Sequence, residues 1–193
     1  TLPTTGTAPV MMSPSGSDDF LKIAFTHNGR SGDNDEELVT LHLRFEDTTG
    51  APDALTTSEA NAIIAALRVY RDDGSGLFES GSDTLVTSVS PLALDGSGDQ
   101  IVTFADGDAE VQLPHATGTR TYFVVLDLTA GYSTDPNRNG VTRIRVTHIT
   151  QASSTAEDRP NDLPLEMAFT ANTQSSTAGT ELEIVTPTDT PTP

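Results

Sequence analysis

The stretch Glu37-Leu38-Val39-Thr40-Leu41-His42-Leu43-Arg44-Phe45-Glu46 decides the fold. Val39, Leu41, Leu43 and Phe45 fall on one side of an extended chain, and Thr40, His42, Arg44 and Glu46 on the other. Successive side chains of a strand point to opposite faces. This period of two therefore predicts a half-buried β-strand with those four apolar residues in a core.

Outward from it, further strands are predicted at 20–26, 67–71, 84–89, 100–105, 109–113, 121–128, 142–149, 165–170 and 181–185. Between them lie turn dipeptides: Asn28-Gly29, Asp73-Gly74, Asp95-Gly96, Asp106-Gly107 and Asn139-Gly140. About ten short strands with such punctuation predict an all-β fold, an antiparallel, immunoglobulin-like (Greek-key) β-sandwich. One segment breaks the pattern. Thr56-Thr57-Ser58-Glu59 fits a capping box ahead of an Ala- and Ile-rich run, which predicts one short helix from 57 to about 66. No internal repeat stands out. The expected organisation is an N-terminal linker at 1–18, one sandwich domain at 19–185 and a Thr/Pro-rich linker at 186–193.

Composition narrows the function classes. The 193 residues carry a net charge of −18, which repels nucleic acid and anionic membranes, so neither is expected as a partner. There is no Cys, hence no disulfide and no thiolate zinc site. No run approaches the roughly 20 apolar residues of a membrane-spanning helix, and membrane insertion is not expected.

The acidic segment from Val69 to Asp83 places Asp72, Asp73, Glu79 and Asp83 among three glycines. Hard cations such as Ca²⁺ take several oxygens from a flexible loop of this kind. The EF-hand pattern does not fit, because Val69 and Arg71 occupy two ligand positions. The segment resembles the D-x-(N/G)-x-G-x-x-(D/E) turn of β-sandwich modules in bacterial surface proteins, and that resemblance implies Ca²⁺ on these four residues. Against it stands an acidic hairpin whose glycines serve only the turn. A second acidic run, Asp33-Asn34-Asp35-Glu36-Glu37, reads as a solvated loop, and Asp106-Gly107-Asp108 as hairpin chemistry. The histidines, His27, His42, His115 and His148, show no metal-binding spacing. Nucleophile elbow, phosphate loop and dinucleotide fingerprint are all missing, so no catalytic residue is assigned and the chain reads as a non-enzyme with no required cofactor.

The ends carry more signal. In Val185-Thr186-Pro187-Thr188-Asp189-Thr190-Pro191-Thr192-Pro193, threonines alternate with prolines. Proline favours an extended chain that leaves each hydroxyl accessible, and Thr-Pro tracts mark O-glycosylated stalks. Thr186, Thr188, Thr190 and Thr192 are the expected glycan sites; no Asn-x-Ser/Thr sequon occurs. At the other end, Leu2-Pro3-Thr4-Thr5-Gly6 matches the sortase pattern LPxTG, but a whole domain follows where a membrane span and basic tail would be needed, so the match reads as coincidence. Val10-Met11-Met12 is an apolar trio in a Thr/Pro/Ser-rich linker and reads as an assembly contact, a strand added to a neighbour's sheet edge.

Taken whole, the chain resembles protomers of extracellular glycofibrils and bacterial surface stalks: one β-sandwich, an acidic Gly-rich loop and a Thr-Pro connector. The resemblance implies an extracellular or cell-surface subunit whose partners are copies of itself and covalent O-glycans, joined head-to-tail into a filament. The competing expectation is a calcium-stabilised adhesin or a carbohydrate-binding sandwich of a larger secreted protein. Sugar platforms need exposed aromatics, and here Trp is absent and the tyrosines are only Tyr70, Tyr122 and Tyr132.

Overall fold

The computed structural model describes residues 10–11, 17–27, 32–115, 118–132, 134–149, 155–165 and 176–183. In chain order the elements are β1 (Val10–Met11), β2 (Ser17–Thr26), β3 (Glu36–Asp47), β4 (Asp53–Ala54), α1 (Thr57–Ile63), β5 (Ile64–Arg71), β6 (Thr84–Val89), β7 (Asp99–Thr103), β8 (Gln112–Leu113), β9 (Thr119–Leu128), a 3₁₀ turn (Pro136–Arg138), β10 (Arg143–Ile149), β11 (Thr155–Asp158), β12 (Leu163–Leu165) and β13 (Ser176–Glu183). Among the described residues the protein is all-β with one short α-helix.

The strand that opened the sequence reading is the axis of the larger sheet. Along one edge β3 pairs with β10 and then β11; along the other it pairs with β8, β7 and β4. The sheet runs β1-β13-β10-β3-β11-β12, and the smaller one β2-β9-β5-β6. Every pairing is antiparallel except β1 with β13. The two sheets share one apolar core. Leu41, Leu43 and Phe45 of β3 and Ile144 and Val146 of β10 meet Leu21, Ile23 and Phe25 of β2 and Val124 and Leu126 of β9. This face-to-face burial of two alternating surfaces is what holds sandwiches together.

One predicted core residue is displaced. Val39 is only half-buried, and Leu38, 3% exposed, takes the inward place. The pairing of β3 with β11 passes from Thr40–Thr155 to Leu38–Ala156, skipping Val39. Such a bulge inserts one residue and reverses the inside–outside phase beyond it. The opposite face of β3 is polar as expected. Thr40 meets Thr155, Arg44 meets Asp99 and Glu46 meets Arg145.

Helix α1 starts as the capping box requires. The Thr56 side chain accepts from the Glu59 amide, and the Glu59 carboxylate accepts from the Thr56 amide at 2.9 Å. It ends at Ile63, three residues short of the expected 66, because Ile64 turns extended and pairs with Leu128. Ile63 and Ile64 are 0% and 1% exposed, so burial in the sheet overrides the helical preference of the following alanines.

Other boundaries shift for local reasons. The expected strand at 109–113 shrinks to Gln112–Leu113, because the Asp108 carboxylate accepts from the Glu110 amide and holds a turn. Strand β2 begins at Ser17 and β1 lies within 1–18, so the segment expected as a linker contributes strands at both places. Of the strand expected at 165–170 only residue 165 is described, within β12, and of 181–185 the described part belongs to the longer β13.

Candidate functional site

Three places stand out in the fold. The first is the loop between β5 and β6. It brings the carboxylates of Asp72, Asp73 and Asp83 within 4.8 Å of one another. The fourth expected ligand, Glu79, enters through its backbone instead. Its amide donates to Asp83 Oδ2 at 2.8 Å, and its carbonyl accepts from the amides of Ser82 and Asp83.

The loop closes on its own carboxylates. Asp72 accepts from the amides of Gly74 and Gly76, Asp73 from Ser75, and Asp83 from Asp73 and Glu79. Gly74 and Gly76 stand at φ +111° and +76°, where a side chain would strain the backbone. Lys22, the single lysine of the chain, donates to the Gly76 carbonyl at 2.6 Å and lies 5.6 Å from the centre of the Phe123 ring. The carboxylates thus serve as acceptors for turn amides. Because a carboxylate oxygen has two lone pairs, the same groups can also face a hard cation.

The second place was not singled out by sequence. Glu37, Asp106 and Glu157 bring carboxylate oxygens within 4.8 Å of one another on the outer face of the larger sheet. Glu37 pairs with Gln112 on one side and Glu157 on the other, so the register lines up three polar side chains in one row. The Asp106-Gly107 turn closes over them: the Gly107 amide donates to Glu37 Oε1 at 2.6 Å, leaving Glu37 2% exposed. Burial and the neighbouring Asp162, Asp106 and Glu37 carboxylates push Glu157 above the usual range. The residues are 37, 106 and 157, and only strand register unites them. No local spacing signals that.

Of the acidic run at 33–37, expected as a solvated loop, Asp33, Asn34 and Asp35 line a hollow of about 250 Å³ with His115, Arg159 and Pro160, whereas Glu36 and Glu37 begin β3, which pairs there with β8 and β11 and buries Glu37. His115 Nδ1 lies 2.9 Å from Asp35, and the His115 amide donates to the same carboxylate, which holds Asp35 below its usual range. His42 sits 2.9 Å from Asp99, which also takes two hydrogen bonds from Arg44. His27 contacts the Asn34 carbonyl at 3.0 Å, and His148 is buried in edge-to-face contact with Phe25. All three tyrosines are buried: Tyr70 8%, Tyr122 1% and Tyr132 1% exposed. None offers a ring face for stacking a sugar.

The third place is the edge of the larger sheet. Val10 pairs with Leu182 and Met11 with Glu183, in parallel. The chain's first and last described strands therefore lie side by side. Met12 and the expected glycan sites Thr186, Thr188, Thr190 and Thr192 lie outside the described residues. Among the described residues no helix is long and apolar enough to cross a membrane.

Fold and sites together define a two-sheet, all-β protein with an acidic, self-closed loop and a terminal strand added to a sheet edge. The chain matches no protein-family model, and no match was found among curated proteins.

Proposed function

We propose that this chain is a non-enzymatic structural subunit of an extracellular or cell-surface filament, joined head-to-tail through its terminal segments and O-glycosylated on its Thr-Pro tract. One observation carries the reading: Val10–Met11 is already an edge strand, held on β13 rather than packed as part of a linker. A short strand reached through five intervening residues is a unit that sheet edges accept from other chains as readily as from their own. The buried tyrosines favour this reading over a carbohydrate platform. The finer fold assignment, an immunoglobulin-like Greek key, belongs to the same proposal. It is supported by the alternation of consecutive segments between the two sheets.

Negative-stain images of native material test the assembly, with filaments expected and dispersed particles counting against it. Changing Val10, Met11 and Met12 together to Ser should shorten or abolish the filaments. Glycans are tested separately by mass spectrometry of the peptide spanning 186–193. Hexose-sized increments on threonine are expected, and an unmodified peptide from native material removes that part of the proposal. The second reading, a calcium-stabilised adhesin, has the convergence of Asp72, Asp73 and Asp83 in its favour. It would be preferred if the native protein remained monomeric and bound Ca²⁺ at this loop.

A further inference from the structure

We propose that the joint between subunits is an exchanged strand: Val10–Met11 of one copy occupies, on β13 of the next, the place it holds here on its own. This rests on the filament reading above and specifies its contact, a parallel pairing of Val10 with Leu182 and Met11 with Glu183.

Three observations point to exchange at this edge. The first is register. The chain itself sets β1 against the C-terminal end of β13, so an identical surface exists on every copy, and exchanging an identical element needs no new interface. The second is the state of the edge. β13 has eight residues, and β1 covers only Leu182 and Glu183. Ser176 to Glu181 have no strand partner on that side among the described residues. A bulge interrupts β13 where its pairing with β10 jumps from Arg145–Glu181 to Thr147–Ala178, and β1 sits on the C-terminal side of it. A two-residue parallel pairing contributes little alone, since ordering each residue costs about 1–2 kcal/mol. Exchange keeps that pairing and adds whatever the neighbouring subunit contributes.

The third observation is charge. The chain carries −18, yet its first seventeen residues contain no charged side chain, and neither do residues 167 to 180, which lead into and form most of β13. Two copies of so acidic a protein repel at most approaches. Here an uncharged segment meets the edge strand at Leu182 and Glu183, so the contact sets no second acidic side chain against Glu183, and the rest of the edge back to Ser176 carries only Glu181. The join between β1 and β2 is short, residues 12 to 16, and contains Pro14. A short hinge of this kind favours passing the strand outward to a second copy over folding it back.

The absence of Cys makes the test clean. Val10→Cys and Leu182→Cys are made as separate single variants, one isotopically labelled. Circular dichroism and filament formation are checked for each. The two are then co-assembled in equal amounts and oxidised. Paired strand positions lie within disulfide reach. Because the cysteines are on different copies, only an intermolecular contact joins them. A labelled–unlabelled dimer cross-linked between residues 10 and 182 as the main oxidised product is the expected result. Normal filaments with no such cross-link overturn the exchange, while the filament reading stands. The Val10→Cys/Leu182→Cys double variant then reports where the strand resides. If it gives only an intrachain disulfide within normal filaments, β1 stays on its own chain. Native material that forms no filaments overturns the parent reading instead.

Discussion

The Phe45 amide donates to the Gly98 carbonyl at 2.8 Å, and a methyl group placed on Gly98 would run into the carbonyl oxygen of Phe45. Phe45 is fully buried in β3, and Gly98 turns the chain into β7 at φ +78°. The turn and the core are thus fitted to each other at backbone level, with no flexible side chain to give way. Gly98→Ala should lower stability by about 2–4 kcal/mol, combining left-handed strain with the collision. Gly107 has almost the same φ, +74°, but open space around it. Gly107→Ala should therefore cost only about 1 kcal/mol. Urea unfolding of both variants checks this, and equal losses would contradict the steric part of the argument.

The bulge at Val39 makes a second contrast within one strand. Leu43→Ala should cost about 2–5 kcal/mol, because Leu43 is fully buried where the two sheets meet. Val39→Ala should cost about 1 kcal/mol or less, since Val39 is half-buried and skipped by the pairing with β11. A strictly alternating strand would make both losses large. Comparable losses in chemical denaturation would place Val39 in the core after all.

The alternation in β3 was legible because a half-buried strand writes its period into a single stretch of sequence. So were the capping box at Thr56–Glu59 and strand β6, whose limits fall at 84 and 89 as expected. The misreadings share a cause. Val39 and Leu38 differ in burial because of a partner strand more than a hundred residues away. Ile64 leaves the helix because Leu128 pairs with it. Strand β11, Thr155–Asp158, has Ala156 as its buried residue, too faint an apolar signal to read. The Glu37–Asp106–Glu157 group exists only through register. The loop at 72–83, by contrast, is local, and the carboxylates of Asp72, Asp73 and Asp83 lie together in it. Glu79 departs because the loop uses its amide to cap Asp83.

In that loop Asp83 should matter through its hydrogen bonds first. It is 7% exposed and accepts from two backbone amides, at 3.0 and 2.8 Å. Asp83→Ala leaves both amides short of a partner and should cost about 1–3 kcal/mol. Calcium binding would be a separate effect. If the folded loop holds Ca²⁺, the melting temperature rises with metal concentration by mass action, and EDTA reverses the rise. The Asp72→Asn/Asp83→Asn variant should then lose the calcium-dependent shift while Glu79→Gln keeps it. A shift that survives the double variant would assign the effect to diffuse binding by the −18 surface.

His148 supplies the last prediction, a pH dependence of stability. Its ring lies in the core between the sheets, 2% exposed and edge-on to Phe25, and burial, with a smaller contribution from His42, lowers its pKa to about 4. An unfolded histidine titrates near 6.5. Between those values the unfolded chain binds a proton that the folded chain refuses, so unfolding is favoured as pH falls. The stabilisation is complete above about pH 6.5, declines through that window and is gone by about pH 4, a change of roughly 3 kcal/mol from this one group. Carboxylates held below their usual range, such as Asp99 beside Arg44 and His42, lose stability on acidification too. The comparison must therefore be made against His148→Phe, which keeps a ring in the same place without a titrating nitrogen. From pH 7 to pH 4 the parent protein should lose roughly 3 kcal/mol more than the variant in denaturant titrations. Parallel stability curves for the two proteins would show that His148 is protonated as readily folded as unfolded.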